Sequence, residues 1–131
     1  MSTLKVNNLQ DINAGNNSTP AEIASGRLKA WGTFDGTATV CILASFNFSS
    51  ITDLGQGYYT LSFTNNMSDT NYAVAGNAIK GDANDDGNQI LQAGGSNTSQ
   101  QLNVNNFNVR TRVASNNNSL DCDKFHVMVA R

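Results

Sequence analysis

The chain has 131 residues, enough for one domain with its own core and too few for two. Charged side chains make up 14% and the formal net charge is −2, which excludes disorder driven by charge and lacks the basic excess that general phosphate binding needs. The polar surface is built from neutral groups instead: Asn, Ser, Thr and Gly supply 54 residues, a composition that favours turns and short strands over long helices.

Residues 1–26 differ from the remainder. STLKVNNLQ reads as a short strand or extended arm, with Leu4, Val6, Leu9 and, in the loop that follows, Ile12 as its apolar positions. Its N-terminus has neither the form of a signal peptide nor a membrane-length apolar run, so neither membrane insertion nor export is expected. Next comes Thr19-Pro20-Ala21-Glu22, where Thr19 suits an N-cap, Pro20 the first helical position and Glu22 the closing half of a capping box. Gly26 supplies the stop, giving one helix of about two turns. This arm holds too little apolar surface to offset the entropy of ordering it, and it is expected to order by docking on a partner.

From Arg27 onward, strand patterns alternate with Gly, Asn and Asp turns, so residues 27–131 read as the body. LKAWGTF runs into Asp35-Gly36, a hairpin signal that needs positive φ at both central residues. ATVCIL and SFNFSSI follow, then a turn over 53–57. In YYTLSF the alternation sets Tyr59, Leu61 and Phe63 on one face and Tyr58, Thr60 and Ser62 on the other. NYAVAGNAI, the polar loop KGDANDDGN, a weaker strand QILQAG and SQQLNVNNFNVRTRVA complete the middle. In the last of these the apolar parity changes, which predicts a bulge or two-residue turn at Asn105-Asn106, and a second slip predicts a bulge near Asp123-Lys124. Seven to nine short strands with one helix predict an all-β fold, an antiparallel β-sandwich or jelly-roll-like body. Several strands are apolar on one face and neutral on the other, which suits a second buried surface. Leu28, Trp31, Val104, Phe107 and Val109 are its candidate residues for a subunit interface.

Residues with obvious chemistry are few. One His and one Glu occur, no Gly-x-Ser-x-Gly is present, and the nine Asp sit in or beside predicted turns, so no catalytic residue and no cofactor is expected. His126 alternates with Phe125 and Val127 and reads as a partly exposed or interface histidine. Cys41 and Cys122 lie in apolar runs and read as reduced, mostly buried thiols. Asp82, Asn84, Asp86 and Gly87 match the first half of a calcium-binding loop, but Ala93 stands where the bidentate Glu belongs and a strand follows. An acidic turn is the reading preferred here, with Asp82, Asn84 and Asp86 kept as weak metal candidates. Trp31, Tyr58, Tyr59 and Tyr72 offer stacking faces for sugars, and a core or interface role is the competing reading for Trp31 and Tyr59.

The stretch Ser25 to Asn77, with KAW, FDGT before an apolar strand, SFNFSSITDLGQGYY and NYAV, resembles a module of structural and tail-fibre-like virion proteins of marine, notably cyanobacterial, tailed bacteriophages. STLKVNNLQD is similar to the short arm that precedes that module. The resemblance implies a non-enzymatic virion structural protein, commonly a homotrimer, assembled in the host cytoplasm and in contact with other virion proteins and a host surface glycan. A capsid decoration protein of cement or knob type, a carbohydrate-binding module and a polysaccharide depolymerase are the competing functions. No nucleic-acid partner is expected.

Overall fold

A computed structural model of the chain describes residues 2–3, 5–10, 17–80, 89–94, 102–115 and 117–131. Two residues, β1 (Leu9–Gln10), pair with β2 (Asn17–Ser18), and α1 (Pro20–Gly26) leads into the body. The body strands are β3 (Leu28–Asp35), β4 (Cys41–Phe46), β5 (Phe48–Gly55), β6 (Tyr58–Phe63), β7 (Ala73–Ile79), β8 (Gln89–Ala93), β9 (Asn106–Val113) and β10 (Lys124–Ala130). They form two antiparallel four-stranded sheets, the first in the order β4-β3-β10-β7 and the second β5-β6-β9-β8. The fold is an all-β sandwich in which β3–β4, β5–β6 and β8–β9 stay together in one sheet as sequential pairs.

Period-two patterning decides what lies between the sheets. Tyr59, Leu61 and Phe63 of β6, Phe107, Val109 and Thr111 of β9, and Phe125, Val127 and Val129 of β10 all point inward and are buried. Aromatic rings dominate this core. Phe34 stacks on Phe125 at 5.0 Å between centroids, Phe125 on Tyr59 at 5.0 Å, and Phe48 on Phe63 at 5.4 Å. Offset and edge contacts of this kind contribute about 0.5–1.5 kcal/mol each beyond the burial of their area. Gly32 is required because the Phe34 ring folds over it: a Cβ there would lie 2.5 Å from Cζ of Phe34.

Two local devices join the sheets. The chain passes from β4 to β5 through the single residue Asn47, held at φ 61°, a left-handed conformation that Asn tolerates better than most residues. Its side-chain amide donates to the carbonyls of Lys29 (3.0 Å) and Asn65 (3.1 Å), while its oxygen accepts from Asn65 N–H at 2.7 Å. At the other end, the segment 117–123 forms a latch. Its Asp121 accepts from Gly57 N–H at 2.6 Å and from the Tyr59 hydroxyl at 3.0 Å, and Cys122 O accepts from Gly36 N–H at 3.0 Å.

Several local expectations change. Asp35-Gly36 is not a two-residue turn: residues 36–40 form a longer loop with the positive φ at Ala38, and Asp35 Oδ1 accepts from Thr37 N–H and Oγ1. Gly36 is there for space, since a Cβ would sit 2.6 Å from the Tyr59 hydroxyl. The parity change before β9 is a turn one residue earlier than expected, spanned by an Asn103 N–H bond to Asn106 O and flanked by the Leu102–Phe107 bridge. No bulge occurs at Asp123-Lys124; residues 120–123 belong to the latch and the strand begins at Lys124. The capping box forms as expected, with Glu22 N–H donating to Thr19 Oγ1 at 3.2 Å and Thr19 N–H to Glu22 Oε2 at 2.7 Å. None of the residues of α1 is buried.

Candidate functional site

The outer face of the first sheet is the most distinctive surface among the described residues. Strand alternation that turns Ala30, Gly32 and Phe34 inward turns Trp31 and Thr33 outward, and the same parity exposes Met128 and His126 on β10. Register then sets them in rows. Phe46, Trp31, Met128 and Ala75 lie side by side across β4, β3, β10 and β7, and Ala44, Thr33, His126 and Asn77 form the next row. Phe46 is 54% exposed, Met128 47% and Trp31 42%, so three large apolar side chains meet solvent in one line. Neither row contains a charge.

Two open depressions flank Trp31. One of about 610 Å³ is lined by Arg27, Leu28, Lys29, Trp31 and Phe46, and a second of about 400 Å³ continues over Thr33, His126 and Met128. His126 Nδ1 shares a hydrogen bond with Thr33 Oγ1 at 3.0 Å, which fixes the ring within its row. The register shift between Thr33 and Phe34 leaves Leu43 of β4 without a partner and exposed beside the row. β4 is moreover an edge strand with no charged residue and no proline, two of the devices that keep such an edge from pairing with another chain, although the bulge at Leu43 interrupts it.

The candidate interface residues divide. Leu28, Trp31 and Val104 are exposed, Leu28 and Trp31 on the face just described and Val104 at the turn before β9, where its carbonyl accepts from Met67 N–H. Phe107 and Val109 are corrected: both are 0% exposed in the core of a single chain, because β9 is an interior strand whose odd-numbered residues point between the sheets. Sequence patterning identified an apolar face on β9 but not that the same chain covers it. Phe46 and Met128 were missed; their register opposite Trp31 is a property of strand pairing that no local motif reports.

Of the arm positions, Val6 and Leu9 are exposed, whereas Leu4 and Ile12 lie outside the described residues. So do the metal candidates Asp82, Asn84 and Asp86. Among the described residues no group of three or more His, Cys, Asp or Glu side chains is placed to hold a metal ion. Cys41 is exposed, against the expectation of burial, because it opens an edge strand; Cys122 is buried, and neither forms a disulfide. Trp31 is at the surface, and Tyr59 is in the core.

Titratable groups inside the sandwich are structural. Burial, reinforced by Asp121, pushes the Tyr59 hydroxyl far above its ordinary pKa, and the hydroxyl donates to Gly36 O at 2.8 Å. Burial raises Tyr72 to about 12, with its hydroxyl bonded to Asn103 O at 2.9 Å. Burial also pushes the Cys122 thiol up, which disfavours the nucleophilic thiolate. What the outer face offers is an apolar central row for contact, with Arg27 and Lys29 lining the depression beside it. No family model, curated protein or solved structure matches this chain. No helix among the described residues is long and apolar enough to cross a membrane.

Proposed function

We propose that the chain is a non-enzymatic structural protein of a tailed-bacteriophage virion, of tail-fibre or tail-associated type, which assembles as a homotrimer in the host cytoplasm and joins other virion proteins. The observation that carries the reading is the uncharged row Phe46–Trp31–Met128, which ends on the edge strand β4. Fully burying a large apolar side chain contributes about 1.5–3 kcal/mol, and these three are about half exposed, so covering each contributes about half of that toward association. A second copy of the same chain suits it, because an uncharged central row meets another such row without like-charge repulsion or stranded ions. In a closed three-fold ring each copy presents two different patches. The Trp31 face is one, and the end of the sandwich carrying exposed Val104 is the other. Residues 1–26, with Val6, Leu9 and Ile23 exposed, serve as the attachment segment.

The sequence resemblance of residues 25–77 supports the virion assignment, and the apolar face supports self-assembly. The test is to locate the chain in a density map of the intact particle and to compare incorporation of the full chain with a chain lacking residues 1–24. Density for three copies around a three-fold axis, lost on truncation while the body stays folded by circular dichroism, is the expected result. Absence from purified particles overturns the virion reading.

A further inference from the structure

We propose, resting on self-association through the Trp31 face, that His126 makes the assembly reversible by acid. His126 is the one histidine in the chain. It stands in the row Ala44–Thr33–His126–Asn77, next to the row of Phe46, Trp31 and Met128. There it lines the depression of about 400 Å³ together with Leu28, Trp31, Thr33 and Met128, and it is partly exposed in a single chain. A second copy that covers Trp31 and Met128 fills this depression and closes over the imidazole.

Covering acts differently on the two charge states. The 3.0 Å bond between Thr33 Oγ1 and Nδ1 serves both: the hydroxyl donates to a neutral ring, and a protonated ring donates Nδ1–H to the hydroxyl oxygen. Thr33 is the ring's one hydrogen-bond partner among the described residues. Enclosed in this way, a neutral ring leaves at most one N–H to satisfy, whereas an imidazolium loses the hydration of a whole charge, which costs far more. Imidazoles change charge between about pH 5 and 8, so the penalty falls inside that window.

The surrounding groups supply no net counter-charge. Beside the ring, β7 turns Ala75, Asn77 and Ile79 outward and β4 turns Ala44 outward, all uncharged. The ionised groups facing outward nearby are Asp35 of β3 and Lys124 of β10, two residues along their strands from Thr33 and His126, and they are of opposite sign. Hydrogen bonds from Thr37, with Lys124 close by, hold the Asp35 carboxyl below its ordinary range, so it stays charged throughout the imidazole window. Arg27 and Lys29, in the depression on the other side of Trp31, add positive potential that opposes a further cation. Separated chains therefore hold more protons than assembled ones, and assembly is strongest above the histidine range and weakens as pH falls through it. Three imidazoles act together in a trimer, so the association constant falls by up to about a thousandfold per pH unit.

The experiment is sedimentation equilibrium of the full chain at micromolar concentration and fixed ionic strength, at about pH 8 and about pH 5.5. The native protein is expected to be a trimer at the higher pH and to associate at least about a hundredfold more weakly at the lower, reversibly and with its circular dichroism spectrum unchanged. His126→Gln, which takes up no proton, is expected to keep its trimer at both values. The proton resonances of the single histidine give a second reading that needs no variant of it. Their titration midpoint is expected to lie at least about one pH unit lower in the native assembly than in the monomeric Trp31→Asp chain. Equal association of the native protein at both pH values, the same acid loss in His126→Gln, unfolding at the lower pH, or equal midpoints overturn the switch and leave self-association standing. A native protein already monomeric at the higher pH overturns self-association, and the switch with it.

Discussion

Trp31 and Phe46 stand opposite each other across the β3–β4 ladder, and both remain about half exposed although they are among the largest apolar side chains in the protein. Aromatic pairs at such positions stabilise a sheet, but a single exposed row needs a second surface to complete its burial. Met128 extends the row on the far side of Trp31, so the platform crosses three strands of the first sheet.

The two thiols report on that platform. Cys41 opens β4 and is exposed, while Cys122 is buried behind the latch with its pKa raised by burial. In dilute native protein one thiol is expected to react quickly with a disulfide reagent and the other only on unfolding. Protection of Cys41 at high protein concentration is the signature of a covered β4 edge, and equal rates at all concentrations argue against it.

Tyr59 and Tyr72 make stability sensitive to alkali. Both pKa values are raised in the folded state, so between the ordinary tyrosine value near 10 and the folded values the unfolded chain holds fewer protons than the native one. Stability is therefore full below about pH 10 and falls above it, with a limiting slope of about 1.4 kcal/mol per pH unit for each tyrosine. Denaturant midpoints measured from pH 8 to 12 check this. Tyr59→Phe leaves Asp121 with one donor fewer, and should cost about 1–3 kcal/mol at pH 7 while flattening the alkaline decline.

Gly57 tests the latch. It has φ +70°, and a Cβ there would lie 2.5 Å from Thr111 O and 2.6 Å from Leu120 N. Gly57→Ala must displace backbone that Asp121 and Thr111 hold in place, so a loss of more than about 2 kcal/mol is expected by denaturant unfolding. Gly26→Ala is the control: nothing lies near its Cβ position, and little change is expected.

The capping box is local. Thr19→Ala removes the acceptor for Glu22 N–H and should cost the helix about 1 kcal/mol, yet α1 buries nothing. Faster amide exchange in residues 20–26, with a melting temperature unchanged within about a degree, is the expected pair of results. A large fall in melting temperature contradicts the separation of arm from body.

What was legible in the sequence follows from how local each signal is. The all-β class, the alternation of YYTLSF and the Thr19–Glu22 box each rest on neighbouring residues, and all three are present. Asp35-Gly36 misled because its glycine serves the Tyr59 hydroxyl, 23 residues away, not turn geometry. Phe107 and Val109 were assigned to an interface because patterning distinguishes an apolar face from a polar one without saying which chain covers it. Leu28 and Trp31 lie on the exposed face, but their partners Phe46 and Met128 depend on a register fixed by pairing across 15 and 97 residues, which single-sequence patterning does not resolve.

Self-association through the Trp31 face is tested most directly by sedimentation equilibrium of the full chain at micromolar concentration beside Trp31→Asp and Phe46→Asp. The native protein should sediment as a trimer, and each variant as a folded monomer with its circular dichroism spectrum unchanged, since both side chains already lie outside the core. A native protein that stays monomeric, or variants that assemble as well as it does, would contradict the account.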